Sequence, residues 1–158
     1  MPIINLSELR AALSPDQRLI GLDPGKKIIG VALTDVTLML ASPYRGLARG
    51  KLAANAAEIG AIARREGPGL VVGLPLGLDG SFGPAAQAAK DWTRALSEAT
   101  GLPAALWDER LSSSAVNRML IQEADLTRAK RAKAVDAAAA AYMLQAALDA
   151  SAQSWPGS

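Results

Sequence analysis

Residues 19–32 contain two apolar runs separated by a short polar turn, and this segment constrains the fold more than any other part of the chain. The first run ends in Asp23, and Pro24-Gly25 with Lys26 and Lys27 forms the turn. This pattern predicts a β-hairpin. An unpaired carboxylate at the end of a buried strand is costly, so Asp23 is the first candidate functional residue. The competing interpretation is an Asx-type turn residue before Pro-Gly.

The rest of the chain alternates helical and strand patterns. Helices are predicted over 5–13, 51–66, 84–99, 112–123 and 132–148, and strands over 18–23, 28–35, 38–47, 70–74 and 104–107. Residues 124–130 are predicted to be a mobile loop and 151–158 a flexible tail. Pro43 predicts an edge position for the third strand. The order predicts one α/β domain over 1–158, with a mixed sheet: an antiparallel meander of three strands followed by parallel strands, with helices on both faces.

Composition removes several kinds of chemistry. The 158 residues include neither Cys nor His, which excludes disulfides, thiolate zinc sites, cysteine nucleophiles and Ser-His-Asp catalysis. The net charge of +2 is weak evidence for an anionic partner. The mixed polar and apolar N-terminus predicts no signal peptide, and no stretch is long and apolar enough to span a bilayer. A cytoplasmic location is therefore expected, with no membrane partner.

Acids lie at the ends of three predicted elements. Asp23 ends the first strand, Asp108 and Glu109 follow the last strand, and Asp136 lies in the first turn or so of the last helix. Strand carboxyl ends and helix N-termini meet at one edge of a parallel α/β sheet. Clustered carboxylates repel each other unless a cation joins them. Without His or Cys, an all-oxygen site favours Mg²⁺ or Mn²⁺, and two such ions can promote hydrolysis at phosphorus. Solvated strand ends and a helix-dipole acid are the alternatives.

Basic residues accompany each acid, as expected of a site that binds the phosphates of a polyanion. They are Lys26, Lys27, Arg110, Arg128, Lys130, Arg131 and Lys133. A solvated basic loop is the alternative for residues 128–133. The glycine-rich segment 73–81 could offer backbone N–H groups to phosphate, although it lacks the lysine spacing of a P-loop and could equally be a connecting loop.

Four blocks together resemble the YqgF/RuvX family of bacterial RNase H-like nucleases. They are Asp23-Pro24-Gly25 through Ala32, Val71-Val72-Gly73-Leu74-Pro75 with Asp79-Gly80-Ser81, Asp108-Glu109-Arg110-Leu111-Ser112, and Lys133-Ala134-Val135-Asp136 with Ala138-Ala139. They occur in the family's order and span most of the chain after residue 18. Residues 1–17 form an extension that the resemblance does not cover. Position 77 is Gly where the family usually has Asn. Position 27 is Lys where Arg is common; lysine keeps the positive charge but cannot form the paired hydrogen bonds of a guanidinium group.

The resemblance implies an RNase H-like fold and a divalent-metal phosphodiesterase site. By position, Asp23, Glu109 and Asp136 match the family's proposed catalytic acids, with Asp108 in reserve. The basic residues named above, with Ser112, would then bind the nucleic-acid backbone. The implied function is nuclease maturation of the 5′ end of pre-16S rRNA by a monomer or homodimer.

Three other functions remain open from the sequence. A Holliday junction resolvase would use the same site on branched DNA and would require a dimer. A non-catalytic RNA-binding ribosome-assembly factor would retain RNA binding without the acids. An actin-like ATPase or kinase is disfavoured, because that architecture normally needs two lobes and this chain provides one.

Overall fold

A computed structural model describes residues 3–75, 83–108 and 128–153. Elements are numbered in chain order along the described residues. The helices are α1 (Leu6–Ala12), α2 (Leu52–Glu66), α3 (Pro84–Thr100) and α4 (Arg128–Gln153). The strands are β1 (Leu19–Pro24), β2 (Ile28–Thr34), β3 (Ala41–Ala48), β4 (Gly69–Leu74) and β5 (Ala104–Asp108). The helix predicted over 112–123 lies outside the described residues. No helix in the described ranges is long and apolar enough to cross a membrane.

The five strands form one mixed sheet in the order β3-β2-β1-β4-β5. The pairs β1–β2 and β2–β3 are antiparallel, whereas β1–β4 and β4–β5 are parallel. The predicted meander followed by parallel strands is therefore confirmed. Pro43 lies on β3, at one edge of this sheet, where the β2–β3 register shifts. An edge strand tolerates proline, because the missing N–H group would otherwise have to donate to a neighbouring strand.

Two apolar layers cover the two faces of the sheet, and the strands supply them alternately. Ile20 and Leu22 of β1 pack with α2 and α3, in a cluster that includes Ile59 and Leu96. Leu19 packs on the opposite face with α1 and α4. Gly21 also faces α4, because a Cβ atom there would lie 3.0 Å from the Leu144 side chain. Successive residues of β1 thus face opposite layers, which fixes the face on which Asp23 lies.

The N-terminal segment is part of the packed structure. Asn5 caps α1, because its side chain accepts a hydrogen bond from the Glu8 backbone N–H at 2.8 Å. Leu9 is fully buried in the cluster beneath α4. The Ile4 N–H donates to the Ala104 carbonyl at 2.9 Å, and Arg10 donates to the Ser151 hydroxyl at 2.8 Å. The segment therefore joins the β5 edge to the C-terminal end of α4.

The last helix is longer than predicted at both ends. Residues 128–130, predicted to be part of a mobile loop, are the first residues of α4 in the described structure. Arg, Lys and Ala are strong helix formers, so a basic run that looks like a solvated loop continues the helix. Residues 151–153, predicted to be tail, also belong to α4. Ser151 is buried there against Arg10.

Gln145 attaches α4 to the turn between β2 and β3. Its side-chain oxygen accepts from the Ala41 N–H at 2.8 Å, and its side-chain nitrogen donates to the Met39 carbonyl at 2.9 Å. The buried residues of α4 that face the sheet include several alanines, which permit a close approach of the helix to the strands. This attachment and the close packing hold α4 across the β1–β2 hairpin.

Candidate active site

The β1–β2 hairpin places Asp23 at the end of β1 on the face covered by α4. Asp23 is half-buried and pairs across the hairpin with Gly30. Because Gly21 contacts α4, alternation along β1 places the Asp23 side chain on the same face. The hairpin turn is closed by the Gly25 N–H, which donates to the Ile28 carbonyl at 2.9 Å and lies 3.0 Å from the Asp23 carbonyl.

Gly30 allows α4 to approach this hairpin at backbone distance. A Cβ atom at position 30 would lie 1.9 Å from the Asp136 carbonyl oxygen and 3.1 Å from the Ala137 nitrogen. No side chain fits in that space. The Asp136 carboxylate also reaches the turn, because a Cβ atom at Gly25 would lie 3.7 Å from its Oδ1 atom. The helix therefore delivers Asp136 to the hairpin end that carries Asp23.

Asp136 does not lie where the sequence predicted. It follows Arg128 by eight residues along α4, which places it in the third helical turn and not at the helix N-terminus. The favourable dipole of a helix N-terminus is confined to the first turn. Stabilisation by the helix dipole, the alternative explanation for Asp136, is therefore excluded. Its position is explained by the close contact with Gly30.

The electrostatic environment of Asp136 is unfavourable for a negative charge. Burial raises the pKa of this carboxyl to about 6, and the charge of Asp23 contributes to the increase. Desolvation and a neighbouring like charge both disfavour ionisation. The two carboxylates would hold a divalent cation whose positive charge would offset both effects, because oxygen donors of this type suit hard cations. The two described acids therefore fit a divalent metal site.

The third predicted acid, Glu109, lies outside the described residues, and those residues contain no group of three potential metal ligands. Asp108, the reserve acid, ends β5 beside Leu74 of β4. Trp107 packs in the layer beneath α4, whereas Leu106 packs in the opposite layer. Alternation then places Asp108 on the face away from α4. Asp108 and Asp23 are on opposite faces of the sheet.

The structure locates part of the predicted basic set. Lys26 and Lys27 are exposed on the hairpin turn, directly after Gly25. Four others have their backbone in the first turns of α4, ahead of Asp136: Arg128, Lys130, Arg131 and Lys133. Arg110, Ser112 and residues 76–81 of the glycine-rich segment lie outside the described residues.

Sequence reasoning did not single out Gly25 and Gly30 as places where Asp136 closely approaches the hairpin, and it did not single out Arg49. The Arg49 guanidinium donates to the Gly25 carbonyl at 2.9 Å and lies 5.5 Å from the centre of the Trp92 ring. A glycine inside a strand pattern signals a close backbone approach, which could have identified Gly30. Nothing comparable in the sequence marks Arg49.

Replacing Asp136 by Asn should stabilise the protein at neutral pH in the absence of divalent metal. Since the folded-state pKa of about 6 exceeds the ordinary value of 3.8, the native state binds more protons between these values. The free energy of unfolding therefore falls as pH rises through this window. The partly exposed carboxylate is screened, so we expect a gain of about 1 kcal/mol, or about 2–4 °C in Tm.

Thermal unfolding of the wild type and Asp136→Asn at pH 7.5 and pH 4 measures this effect. The difference in Tm should be present at pH 7.5 and largely lost at pH 4, where the native-state carboxyl is protonated and the pH is close to its ordinary pKa of 3.8. A constant difference at both pH values would show that the charge of Asp136 is not its cause.

The order of the strands in the mixed sheet and the helices on both faces define an RNase H-like fold. The structure of T. thermophilus RuvC in complex with a Holliday junction substrate shares this fold, with a TM-score of 0.53 and 18% identity. The match covers 85% of this chain and 94% of that chain.

Residues 17–150 match the model of the RuvX family, described as Holliday junction resolvase, and the chain belongs to this family. Relatives named "Putative pre-16S rRNA nuclease" cover nearly the whole chain. The protein from Gluconacetobacter diazotrophicus is 68% identical and covers 97% of this chain and 100% of its own length. The protein from Gluconobacter oxydans is 66% identical and covers 96% of this chain and 95% of its own length. The protein from Rhodospirillum rubrum is 51% identical and covers 95% of this chain and 94% of its own length. The predicted resemblance is confirmed.

Proposed function

We propose that this chain is a divalent-metal-dependent nuclease that processes the 5′ end of pre-16S rRNA in the cytoplasm. Its family and the names of its relatives support a phosphodiester hydrolase. The observation that carries the metal dependence is the placement of Asp23 and Asp136 on one face, where burial and the charge of Asp23 raise the pKa of Asp136. Two such carboxylates are stabilised together by a cation, for which we propose Mg²⁺ or Mn²⁺.

We assign the third acid to Glu109, because Asp108 lies on the face of the sheet away from α4. The strands β1 and β5 are separated by β4, which places their ends about 10 Å apart. A glutamate side chain reaches further than an aspartate across this gap. Asp23, Glu109 and Asp136 would hold the metal by their oxygen atoms.

The divalent ions, when bound, would activate water and neutralise charge at the phosphate. The chain's own contribution is positioning. The hairpin and α4 hold the two carboxylates at fixed places, and the exposed Lys26 and Lys27 beside them attract the nucleic-acid backbone. Arg110, Ser112 and the basic residues of the first turns of α4 extend this phosphate-binding surface in our proposal. Hydrolysis forms a bond from the water oxygen to phosphorus and breaks one ester P–O bond in line.

A Holliday junction resolvase is the second candidate, favoured by the description of the matching family. It would act as a homodimer, because symmetric cleavage of a four-way junction requires two sites. Processing of RNA needs only one site and permits a monomer.

The purified chain with Mg²⁺ or Mn²⁺ should cleave a labelled pre-16S rRNA fragment and leave a four-way DNA junction intact. The two substrates are compared side by side on denaturing gels, with Asp23→Asn as the inactive control. Cleavage of the junction alone would replace the proposal with the resolvase function. Equal RNA binding by wild type and Asp23→Asn, without cleavage by either, would identify a non-catalytic assembly factor.

A further inference from the structure

Arg49 connects the active-site turn to the opposite face of the sheet. Its backbone N–H donates to the Lys27 carbonyl at 2.8 Å, and its guanidinium donates to the Gly25 carbonyl at 2.9 Å. Arg49 therefore holds two of the three residues that join β1 to β2. Both bonds are made to backbone carbonyls, so they fix the path of the turn whatever side chains it carries.

Trp92 holds the Arg49 guanidinium in place. The guanidinium carbon lies 5.5 Å from the centre of the Trp92 ring, within the range of a cation–π contact. Trp92 belongs to α3 and packs against the cluster on the α2 and α3 face. Asp23 and Asp136 lie on the other face, against α4. Arg49 thus supports the turn from the side away from the acids.

The turn is tied to the acids by Gly25. This residue follows Asp23 by two positions, and its missing Cβ would lie 3.7 Å from the Asp136 carboxylate. The Gly25 N–H also lies 3.0 Å from the Asp23 carbonyl, so a shift of the Gly25 backbone would displace Asp23 relative to Asp136. Groups that orient the metal ligands without binding the metal themselves commonly change metal affinity or activity by about 10–100-fold.

We propose that Arg49 is a positioning residue of the metal site, which holds the β1–β2 turn so that Asp23 and Asp136 keep the spacing that a divalent ion requires. The inference rests on the proposed metal-dependent nuclease function. It assigns Arg49 no contact with the nucleic acid. The planar guanidinium is needed for both contacts, because a lysine ammonium cannot stack on the ring and direct an N–H at a carbonyl in the same way.

Arg49→Ala should loosen the turn before any metal or substrate is added. The Gly25 amide, which donates to the Ile28 carbonyl, should exchange its hydrogen about tenfold faster in the variant, because the turn loses a hydrogen bond. The Mn²⁺ dissociation constant, measured by titration calorimetry, should rise about 10-fold or more, and kcat should fall about 10–100-fold with KM changed less than about twofold. Arg49→Lys should recover only part of each loss.

Arg65→Ala is the matched control, because Arg65 is also exposed and donates to an aromatic residue, the Tyr44 hydroxyl, at 3.1 Å. It should leave amide exchange at Gly25 and Mn²⁺ affinity unchanged. Unchanged exchange and affinity in Arg49→Ala would overturn the inference, as would a higher KM with normal kcat and normal Mn²⁺ affinity. The exchange and calorimetry readouts need no cleavage. They therefore test Arg49 even if the proposed RNA substrate is wrong.

Discussion

Asp23→Asn should abolish phosphodiester cleavage, with a decrease of at least about 10³-fold in kcat, the scale of losing an essential catalytic group. Asn keeps the shape of the side chain and loses the negative charge that a divalent ion requires. The substitution also removes a charge that raises the pKa of Asp136, so the fold should be retained and even slightly stabilised. RNA binding should persist, because a negative charge near the phosphates has been removed.

The cleavage rate of a labelled RNA fragment, with circular dichroism and RNA binding measured on the same samples, tests this prediction. Asp149→Asn is the matched control. Asp149 is an exposed acid on the same helix, hydrogen-bonded to Gln145 and about 20 Å from Asp136 along the helix axis. The Asp149→Asn variant should cleave the RNA fragment at the wild-type rate. Undiminished cleavage by Asp23→Asn, in a preparation free of contaminating nuclease, would reject Asp23 as a catalytic residue.

Gly30→Ala should have the largest effect on stability. The added Cβ would lie 1.9 Å from the Asp136 carbonyl oxygen and 2.4 Å from its carbonyl carbon. These are backbone atoms of a long helix, which cannot rotate away as a flexible side chain would. We expect α4 to shift from β2 at a cost of about 2–3 kcal/mol, or about 4–12 °C in Tm. Asp136 would move with the helix, so cleavage should also fall in the fraction that remains folded.

Gly60→Ala is the control for this substitution. Gly60 lies inside α2, and a Cβ atom there would meet nothing within 4 Å. Alanine is a better helix former than glycine, so this variant should gain about 0.5–1 kcal/mol. Thermal unfolding of both variants measures the contrast. If Gly30→Ala unfolds at the wild-type temperature, the close contact of α4 with β2 is wrong.

The sheet could be predicted from the sequence because its signals are local. Apolar runs of strand length, separated by glycine and proline, predict the five strands of the described residues, and the order of strands and helices predicts the mixed sheet. Asp23 is a candidate from the sequence because a carboxylate at the end of an apolar run is unusual, and its catalytic role stays a prediction. The family resemblance is confirmed by the match over residues 17–150.

The contacts around Asp136 could not be predicted, because they depend on how α4 crosses the sheet. The sequence predicts this acid near the start of the helix, whereas the helix begins eight residues earlier. The position of Asp136 follows from the close contact of its backbone with Gly30. The support of the turn by Arg49 joins residues more than twenty positions apart and leaves no periodic signal. Glu109 lies outside the described residues, so its role stays a prediction.

The central claim is that Asp23 and Asp136 bind a divalent ion together. Calorimetric titration of Mn²⁺ into the wild type, Asp23→Asn and Asp136→Asn at pH 7.5 tests it most directly. The wild type should bind Mn²⁺, and each substitution should weaken binding at least about tenfold, because removing either carboxylate removes a ligand and half of the charge that these two acids supply. Equal Mn²⁺ affinity in the wild type and both variants would contradict the claim.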